Sequence, residues 1–414
     1  MKVAFICDYF LPHSPGGAEQ STFLLAKALV QKGIDVSIIT PNYGANNHEI
    51  IKKVKIYRFS FIKLTKGKNK VSPILHTNFF WILYSAFQIY KISKAIKVDL
   101  IHIHGKFSLP GALITAKILK VKTIITLRDY RLLCPIGHCL FRKKRAGNFL
   151  NFLTKEIPFG IKHYLKKKNL ASILIYTLAN IRSYFATKIF KFAVNFTDKK
   201  VFVSQKVKRI YHQNGIKDGL VIYNLLPAIP ILLTNNPQKL ILYVGKLSFG
   251  KGTDLFLKAA QQLENKIPQY QFIIVGNSNL MKYKILAKKL KLMNTQFTGS
   301  LPHLKIKKFY EMAKLVVIPS RWQEPLSRVT LEALNLGVPV ITTKKGGQEE
   351  IINHGKNGYI VKLNVASIKS AILKGIKENN TLRLNIKKEQ KSFSDKFYTQ
   401  VIIKHLKLYK GLIK

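Results

Sequence analysis

Acidic residues are scarce in this chain, whose 414 residues include 19 Asp and Glu against 70 Lys and Arg, for a formal net charge of +51. A lysine-rich composition does not by itself explain so few acidic residues. So large an excess of one sign predicts an anionic partner, either a membrane surface or a nucleic acid.

Cysteine is also rare. The three cysteines, Cys7, Cys134 and Cys139, do not make the framework of a disulfide-stabilised domain. Cys134 and Cys139 flank His138 and could in principle offer metal ligands, but no second pair with zinc spacing accompanies them. A packed loop is the interpretation we favour for this segment, and no metal is expected.

Long apolar runs are missing as well. The longest, Phe79–Tyr90 and Leu170–Ile181, fall short of the ~20 residues that a membrane-spanning helix requires. The chain opens on a strand-like segment, Lys2–Ile6, rather than on the charged and apolar regions of a signal peptide. With the excess of positive charge, these observations predict a cytoplasmic protein, peripheral on the inner face of the cell membrane.

Short apolar strands alternate with helical patterns in two parts of the chain. In the first part, the strands Lys2–Ile6 and Asp35–Thr40 enclose the helical segment Glu19–Gln31. In the second part, the helical segment Ser327–Leu336 lies between two apolar strands. This alternation predicts an α/β fold with two Rossmann-like doubly wound parallel-sheet domains, which bind ligands at the carboxyl ends of their strands.

Two glutamates accompany the second of these helices, Glu324 before it and Glu332 within it. At roughly 1.5 Å per helical residue, their carboxylates could stand on the order of 10 Å apart. Between them, the free N–H groups around Ser327 to Val329 face a space that an anion could fill. Such a site suits a sugar, a diphosphate and a ribose in sequence. The alternative is a loop charge followed by a solvated helix residue.

A second basic loop opens the later domain. Gly245 and Lys246 follow an apolar strand, and Lys251 comes five positions further on. Glycines free the backbone there, while the two lysines direct positive charge toward a phosphate. A basic loop without a ligand is the alternative.

The first domain has polar residues after three of its strands. Gly16 and Gly17 lie in the first loop and allow close approach of a ligand, although a plain turn would use them too. His102 and His104 end a later strand, where their spacing of two places both rings on one face; a structural histidine is the alternative for each. Arg128 and Asp129 follow the next strand.

Together these motifs resemble glycosyltransferase family 4, the group-1 retaining glycosyltransferases of GT-B fold. The resemblance covers nearly the whole chain. The residues that carry it are Gly16, Gly17, Glu19, Lys251, Glu324-Pro325, Glu332-Ala333, Gly337–Ile341, Gly346-Gly347, Glu350, Gly355 and Asn357-Gly358. It implies two domains that face a central cleft, bounded at 1–226 and 239–393, with a Pro-rich linker at 227–238 and a final helix at 394–414 that crosses back to the first domain.

The resemblance also implies roles for individual residues. The nucleotide-diphosphate sugar, a UDP- or GDP-sugar, would be bound by Gly16, Gly17, Gly245, Lys246, Lys251, Ser300, Leu301, Leu326, Ser327, Arg328, Val329 and Glu332. Catalysis would involve His104, Arg128, Asp129 and Glu324, with Glu19 and His102 on the acceptor side. Arg128 departs from the usual histidine, and because arginine cannot be deprotonated, either it acts as a fixed cation or His104 takes that role.

The implied reaction transfers a hexose with retention of configuration to a glycan or lipid-linked acceptor, in the synthesis of cell-surface polysaccharide or glycolipid. It requires no cofactor and no metal.

A basic, aromatic-rich insertion at about 140–195 predicts docking on an anionic membrane, with a solvated basic face as the alternative. No nucleic acid is expected. The rivals are a sugar-nucleotide epimerase, a nucleic-acid binder, and a catalytically silent membrane scaffold.

Overall fold

The chain forms two compact units in the computed structural model, which describes residues 1–13, 16–63, 71, 73–136, 148–165, 169–226 and 238–413. One unit comprises residues 1–225 together with 399–414, and the other comprises residues 226–398. The C-terminal helix therefore belongs to the same compact unit as the N-terminal half of the chain. Each unit is described separately.

The first unit alternates strands and helices. Its strands are β1 (Lys2–Ile6), β2 (Asp35–Pro41), β3 (His48–Ile51), β4 (Val54–Phe59), β5 (Leu100–Ile103), β6 (Lys122–Leu127), β7 (Lys199–Phe202) and β8 (Leu220–Val221). Its helices are α1 (Gly17–Val30), α2 (Phe79–Ala95), α3 (Leu109–Leu119), α4 (Phe149–Asn151), α5 (Ile157–Tyr164), α6 (Leu170–Ala193), α7 (Gln205–Gln213) and the C-terminal helix Gln400–Ile413. A π-helical turn, Phe152–Glu156, joins α4 to α5.

The sheet of the first unit has the order β3-β4-β2-β1-β5-β6-β7-β8. All pairs are parallel except β3 with β4. Val3 on β1 lies between Val36 on β2 and Leu100 on β5, and all three are buried. The strand order reverses between β1 and β5, and a ligand crevice in such a sheet opens at the carboxyl ends of the strands beside that point.

The second unit is a smaller doubly wound sheet. Its strands are β9 (Leu240–Val244), β10 (Gln271–Val275), β11 (Thr295–Gly299), β12 (Leu315–Ile318), β13 (Val340–Thr343) and β14 (Gly358–Val361). Its helices are α8 (Thr253–Gln261), α9 (Leu280–Lys289), α10 (His303–Met312), α11 (Arg328–Asn335), α12 (Val365–Lys377) and α13 (Asn379–Ser394). The C-terminal helix of the first unit, Gln400–Ile413, becomes α14 in chain order.

The second sheet is parallel throughout, in the order β11-β10-β9-β12-β13-β14. Its reversal point lies between β9 and β12, so the loops after these two strands border the predicted crevice. The core packs Phe256 of α8 and Phe272 of β10 with Leu315 of β12, all fully buried. Gly375 on α12 allows that helix to approach Leu315 and Ile341 closely.

The structure confirms the two Rossmann-like domains and differs from the sequence patterns in detail. The final helix, expected at 394–414, begins later than predicted, because a π-helical turn at Asp395–Thr399 precedes α14. The Gly346-Gly347 motif opens a four-residue 3-10 turn, Gly347–Glu350. The short edge strands β3 and β14 carry too few alternating apolar residues to be recognised from sequence.

Some sequence predictions fall outside the described residues. They are His138 and Cys139, the parts of the basic insertion at residues 140–147 and 166–168, and the linker residues 227–237. Cys7 and Cys134 are both described, and each is a buried free thiol.

Candidate functional site

Lys251 and Glu324 form a charged pair in the second unit, on the loops that follow β9 and β12. Nζ of Lys251 lies 2.6 Å from Oε1 of Glu324, and the hydroxyl of Ser320 donates to the same oxygen at 2.6 Å. The side chain of Glu324 is only 6% exposed, whereas that of Lys251 is 35% exposed. A buried carboxylate needs a compensating charge and hydrogen bonds, and these two neighbours supply them. The half-exposed ammonium of Lys251 brings positive charge to the mouth of the site.

The loop that carries Lys251 lies against the end of β12. Gly252 adopts a left-handed conformation with φ of 71°, and a Cβ atom there would lie 1.8 Å from the carbonyl oxygen of Pro319. The backbone N–H groups of Arg321 and Trp322 donate to the carbonyl oxygen of Gly250 at 2.9 and 3.1 Å. Only glycine tolerates both the backbone conformation and this close approach. The two loops are thereby held together next to Lys251.

Arg321 ties the same two loops through its side chain. Its guanidinium forms a two-pronged ion pair with Asp254 at 2.6 Å for both bonds, donates to the carbonyl oxygen of Phe249 at 2.8 Å and lies 4.0 Å from the centre of the Phe249 ring. Planar, two-pronged contacts of this kind restrict orientation as well as distance. Sequence analysis missed this pair, because its members are 67 positions apart.

The Gly346-Gly347 turn holds Glu324 from the other side. Glu324 and Gly346 form an isolated parallel bridge, and the backbone N–H of Gly347 donates to the carbonyl oxygen of Glu324 at 2.7 Å. A Cβ atom on Gly346 would lie 2.0 Å from that carbonyl oxygen. The glycine pair noted in the sequence therefore serves to seat the Glu324 loop.

Ser327 begins α11, and its hydroxyl accepts a hydrogen bond from the backbone N–H of Thr330 at 3.2 Å. Leu326 and Ser327 are buried. Helix starts such as this one carry unpaired N–H groups and partial positive charge, which favour an anion. Val329 is half-buried in the first turn.

Glu332 has partners of its own. Arg328 donates to its Oε1 at 2.7 Å, and the hydroxyl of Tyr310 donates to Oε2 at 3.3 Å. Burial, and the carboxylate of Glu332, raise the pKa of Tyr310 well above its usual range, so the phenol stays protonated. The two glutamates of the motif thus have separate sets of partners: Lys251 and Ser320 for Glu324, Arg328 and Tyr310 for Glu332.

Gln348 lies beneath the start of α11 and was not predicted. Its side-chain oxygen accepts hydrogen bonds from the hydroxyls of Thr330, at 3.1 Å, and Thr342. Gln348 is fully buried, and its amide nitrogen has no hydrogen-bond partner within the part of the chain that the structure describes. A buried unpaired donor of this kind is costly, and it marks a polar position behind the helix start.

The remaining candidates of the second unit follow β9 and β11. Gly245 adopts φ of 147°, and the side chain of Lys246 is exposed. Ser300 is exposed and Leu301 half-buried, directly after β11. Both loops leave the sheet at the carboxyl ends of their strands, the edge that also carries Lys251 and Glu324.

In the first unit, Arg128 reaches from the end of β6 to α1. Its guanidinium donates to the carbonyl oxygen of Ala18 at 3.2 Å and to the hydroxyl of Thr22. The backbone N–H of Gly16 donates to the carboxylate of Glu19 at 3.1 Å, which closes the first turn of α1. The Gly16-Gly17 turn, Glu19 and Arg128 therefore meet at the start of one helix.

Asp129 follows Arg128 and is exposed. Its carboxylate accepts a hydrogen bond from the backbone N–H of Arg131 at 2.9 Å, and its carbonyl oxygen accepts one from the hydroxyl of Tyr211 at 2.6 Å. The carboxylate stabilises the turn after β6 and remains open to solvent.

His102 is part of the interior of the first unit. Its Nδ1 is 2.7 Å from the hydroxyl of Tyr409 on α14, and its Nε2 is 2.7 Å from the hydroxyl of Thr126 on β6. Burial lowers its pKa well below the usual value, and the nearby His405, with its ring centre 5.9 Å away, acts in the same direction. Both ring nitrogens are thus engaged within the unit, and they join β5 to the C-terminal helix.

His104 is placed differently. Its ring centre lies 4.1 Å from that of His102 and 4.5 Å from that of Phe5. Neither ring nitrogen has a hydrogen-bond partner among the described residues. Burial lowers its pKa well below the usual value, so the imidazole is neutral. At the carboxyl end of β5, a neutral imidazole with both nitrogens unpaired can accept or donate a hydrogen bond to a ligand.

Two further charged residues lie at the same edge and were not predicted. The carboxylate of Asp8 accepts hydrogen bonds from the backbone N–H groups of Phe107 at 3.0 Å and Ser108 at 2.9 Å, and burial raises its pKa. Burial, together with Arg131, lowers the pKa of Lys106 to about 8. The only signal in the sequence was position, since Asp8 comes two residues after the end of β1 and Lys106 two residues after His104.

Within the described residues no three His, Cys, Asp or Glu side chains are arranged to hold a metal ion. A search of the same residues for a helix long and apolar enough to cross a membrane finds none.

Two Rossmann-like parallel-sheet units, each with its polar candidates at the carboxyl ends of the strands, make up the architecture of the GT-B glycosyltransferases. Residues 15–226 match the family described as Glycosyltransferase Family 4, and residues 228–393 match the family described as Glycosyl transferases group 1. The chain belongs to this glycosyltransferase family, and it is a glycosyltransferase.

Similar proteins agree with this assignment. An uncharacterized 42.6 kDa protein in the cps region of Klebsiella pneumoniae is 26% identical over 99% of this chain and 100% of its own. The solved structure of Anabaena HepE in complex with UDP-glucose has a TM-score of 0.68 at 18% identity, with 100% of both chains covered. A mutant of S. aureus TarM, in complex with Fondaparinux, alpha-GlcNAc-glycerol and UDP, has a TM-score of 0.71 at 15% identity, with 99% of both chains covered.

Proposed function

We propose that this glycosyltransferase transfers a hexose from a UDP- or GDP-sugar to a glycan or lipid-linked acceptor, with retention of configuration, in the synthesis of cell-surface polysaccharide or glycolipid. The observation that carries the proposal is the pairing of Lys251 with the buried Glu324 beside the start of α11. The complexes of HepE with UDP-glucose and of TarM with UDP support a nucleotide sugar as the sugar donor.

The second unit would bind the nucleotide sugar. Lys251, Lys246 and the start of α11 at Ser327 would stabilise the negative charge that develops on the leaving diphosphate. Charge-assisted contacts of this kind strengthen as the glycosidic bond breaks, which is the condition for accelerating the reaction. Glu332, held by Arg328 and Tyr310, would bind the ribose hydroxyls.

Glu324 would hold the sugar. Both of its side-chain contacts, to Lys251 and Ser320, involve Oε1. Oε2 can therefore accept hydrogen bonds from sugar hydroxyls without loss of either contact. The Gly346 turn and the Gly252 loop hold the carboxylate in place. The hydrogen-bond acceptor for the sugar hydroxyls is therefore positioned before the sugar binds.

The first unit would bind the acceptor. A neutral His104 suits a hydrogen bond to a hydroxyl, whereas Arg128, held by α1, would act as a fixed cation. Membership of the family implies that the leaving phosphate takes the proton of the acceptor hydroxyl. No second carboxylate is assigned the role of covalent nucleophile. Association with the inner face of the cell membrane is part of the same proposal.

The test is a screen of UDP-, GDP- and ADP-sugars for thermal stabilisation and nucleotide release, repeated with Lys251→Met and Glu324→Gln. We expect one UDP- or GDP-sugar to stabilise the protein and each variant to reduce turnover by about a hundredfold, the loss typical when one preorganised charge contact is removed. Lys258→Met and Glu349→Gln are matched controls, since both side chains are exposed in the same unit. Unchanged stabilisation and turnover in both site variants would contradict the proposal.

The retention of configuration and the rival functions are tested by separate measurements. Proton NMR of the product reports whether the anomeric configuration is retained. Conversion of the sugar nucleotide with no acceptor present would instead indicate an epimerase. Tight, steeply salt-dependent nucleic-acid binding without sugar transfer would indicate a nucleic-acid binder. Vesicle binding with no nucleotide release from any sugar would indicate a scaffold.

A further inference from the structure

Among the described residues, the helices α2 and α6 of the first unit have a large exposed apolar surface. On α6, seven large apolar side chains are at least half exposed: Leu170, Leu174, Ile175, Leu178, Phe185, Ile189 and Phe192. At 100° per residue they occupy a single stripe, while the buried Tyr184, Ala186, Thr187 and Phe190 lie on the opposite side. A helix of this kind has one packed face and one apolar face without a partner in the described structure.

Helix α2 also has an exposed apolar face. Phe80 is 82% exposed and Phe87 61%, and Leu83 lies between them on the same face. One and two turns further on, that face continues with the exposed Lys91 and Lys94. The face of α2 therefore has an aromatic half and a basic half.

The start of α2 lies beside α6. Arg182 on α6 donates to the carbonyl oxygen of Thr77 at 3.0 Å, one residue before the residue that caps α2. The ring of Phe190 on α6 lies 6.3 Å from Phe107, whose carbonyl oxygen accepts the indole N–H of Trp81 on α2. α3 packs closely on α2, where a Cβ atom on its Gly111 would lie 2.4 Å from Oγ of Ser85.

The size of this surface is unusual for a protein that stays in water. With aromatic side chains of ~150–250 Å² each, the exposed parts of α2 and α6 together amount to on the order of 1,000 Å² of apolar area. The largest apolar patch on a typical monomer is about 300–600 Å². An occupant is therefore expected.

Charge identifies the occupant. The sequences of α2, α3 and α6 contain no aspartate or glutamate, whereas they carry Lys91, Lys94, Lys117, Arg182, Lys188 and Lys191. A second copy of this chain would bring like charges together, and a nucleic acid would leave the apolar stripes in water. An anionic bilayer matches both features, because basic groups contact the headgroups while apolar side chains enter the boundary of the acyl chains.

We propose that the exposed faces of α2 and α6, with α3 beside them, are a docking surface for an anionic lipid bilayer, on which these helices lie in the plane of the membrane. Phe107 lies beneath this surface, where it contacts Phe190 of α6 and Trp81 of α2 on their packed sides, and it follows His104 by three residues. An acceptor held in the membrane would then reach the carboxyl end of β5 without leaving the bilayer surface. The docking surface deepens the proposed function, but vesicle binding does not require the transfer reaction.

The experiment measures binding of the full chain to vesicles of phosphatidylcholine alone and of phosphatidylcholine with 30 mol% (roughly a third) phosphatidylglycerol, a fraction that gives a strongly negative surface. We expect binding to the anionic vesicles only. The triple variant Phe80→Ser, Phe87→Ser and Phe192→Ser should weaken it by about tenfold for each residue, the effect of removing a largely exposed aromatic group from an apolar contact. All three side chains are exposed, so the fold does not depend on them.

Matched variants control for general effects. Met281→Ser, Met293→Ser and Leu384→Ser remove equally exposed apolar side chains from the second unit, and they should leave vesicle binding unchanged. Lys91→Glu with Lys94→Glu should reduce binding by at least about tenfold, at roughly 1 kcal/mol for each basic group near an anionic surface. Lys387→Glu with Lys388→Glu on α13 makes the same change of net charge and should have a much smaller effect.

The depth of insertion is a further readout, since Phe87→Trp should become quenchable by brominated lipid. Equal loss of binding in the two triple variants, or equal binding to neutral vesicles, would overturn the proposal. So would a dimer, or a nucleic-acid complex, that the phenylalanine variants abolish. Nucleotide release from UDP- and GDP-sugars, measured without vesicles, should be the same for the wild type and the phenylalanine variants. A variant that loses vesicle binding but still releases nucleotide supports the docking surface independently of the transfer reaction. A protein that binds vesicles but releases no nucleotide would contradict the proposed function and leave the docking surface intact.

Discussion

Replacing Gly252 by alanine should displace the loop that holds Lys251 beside Glu324. The added Cβ would lie 1.8 Å from the carbonyl oxygen of Pro319, and the backbone there has φ of 71°. Carbon and oxygen that are not bonded need roughly 3.2 Å or more, so the loop must move by on the order of 1 Å from the end of β12. The contact of 2.6 Å between Lys251 and Glu324 is lost at such a displacement.

The expected destabilisation has two parts. The left-handed backbone costs alanine about 1–2 kcal/mol. The shift also breaks the two hydrogen bonds from Arg321 and Trp322 to Gly250, at about 1 kcal/mol each. Together they predict a loss of about 3–4 kcal/mol, which lowers the Tm of a domain of this size by roughly 10 °C.

Gly355→Ala is the matched control. Gly355 also has a positive φ, 78°, but nothing lies within 4 Å of an added Cβ. It should therefore suffer only the backbone strain, with a Tm about 3–6 °C below that of the wild type. Thermal unfolding of both variants, with KM for the nucleotide sugar, checks the difference. If Gly252→Ala is no more destabilised than Gly355→Ala and keeps its KM, the close approach of the two loops does not position Lys251.

Two further predictions concern Arg321 and His405. Arg321→Lys keeps the charge but not the two-pronged contact with Asp254, so KM for the nucleotide sugar should rise by about tenfold. Steady-state kinetics measures this change. A lower Tm with an unchanged KM would mean that Arg321 has no positioning role. Burial lowers the pKa of His405 to about 4. Between pH 6.5 and pH 4 the unfolded chain therefore binds a proton that the folded chain does not, and the free energy of unfolding falls as the pH falls. Urea unfolding at pH 7 and pH 5 should show a loss of up to about 1.4 kcal/mol per pH unit from this group, which His405→Gln should remove; an equal slope in the variant would contradict the assignment.

The sequence was most informative where local pattern decides structure. The strand, loop and helix around Glu324 could be predicted from the apolar run, the turn residues and the helical periodicity that follow one another there. The helix start at Ser327 agrees to within one residue. The apolar run Leu170–Ile181 was recognised as too short to span a membrane, but the sequence did not indicate which of its side chains would be buried.

Pairings over long distances could not be predicted. Lys251 and Glu324 were each recognised as candidates, yet their contact depends on how two loops 73 positions apart meet. Asp254 was overlooked because nothing near it in the chain distinguishes it from a surface charge. The partners of His102 illustrate the same limit, since one of them, Tyr409, is 307 positions away.

The sequence by itself determined the class of fold, the family, and the residue types at the ends of the strands, because these follow from patterns that span a few residues to a few turns. The tertiary structure alone decided which candidates touch: Glu324 with Lys251, Glu332 with Arg328 and Tyr310, and Arg128 with α1. It also decided that the start of α2 lies beside α6 and that, within the described residues, both helices keep an exposed apolar face. The physical reason is that burial and pairing depend on the order of strands in the sheet, and that order brings together side chains that are far apart in the chain.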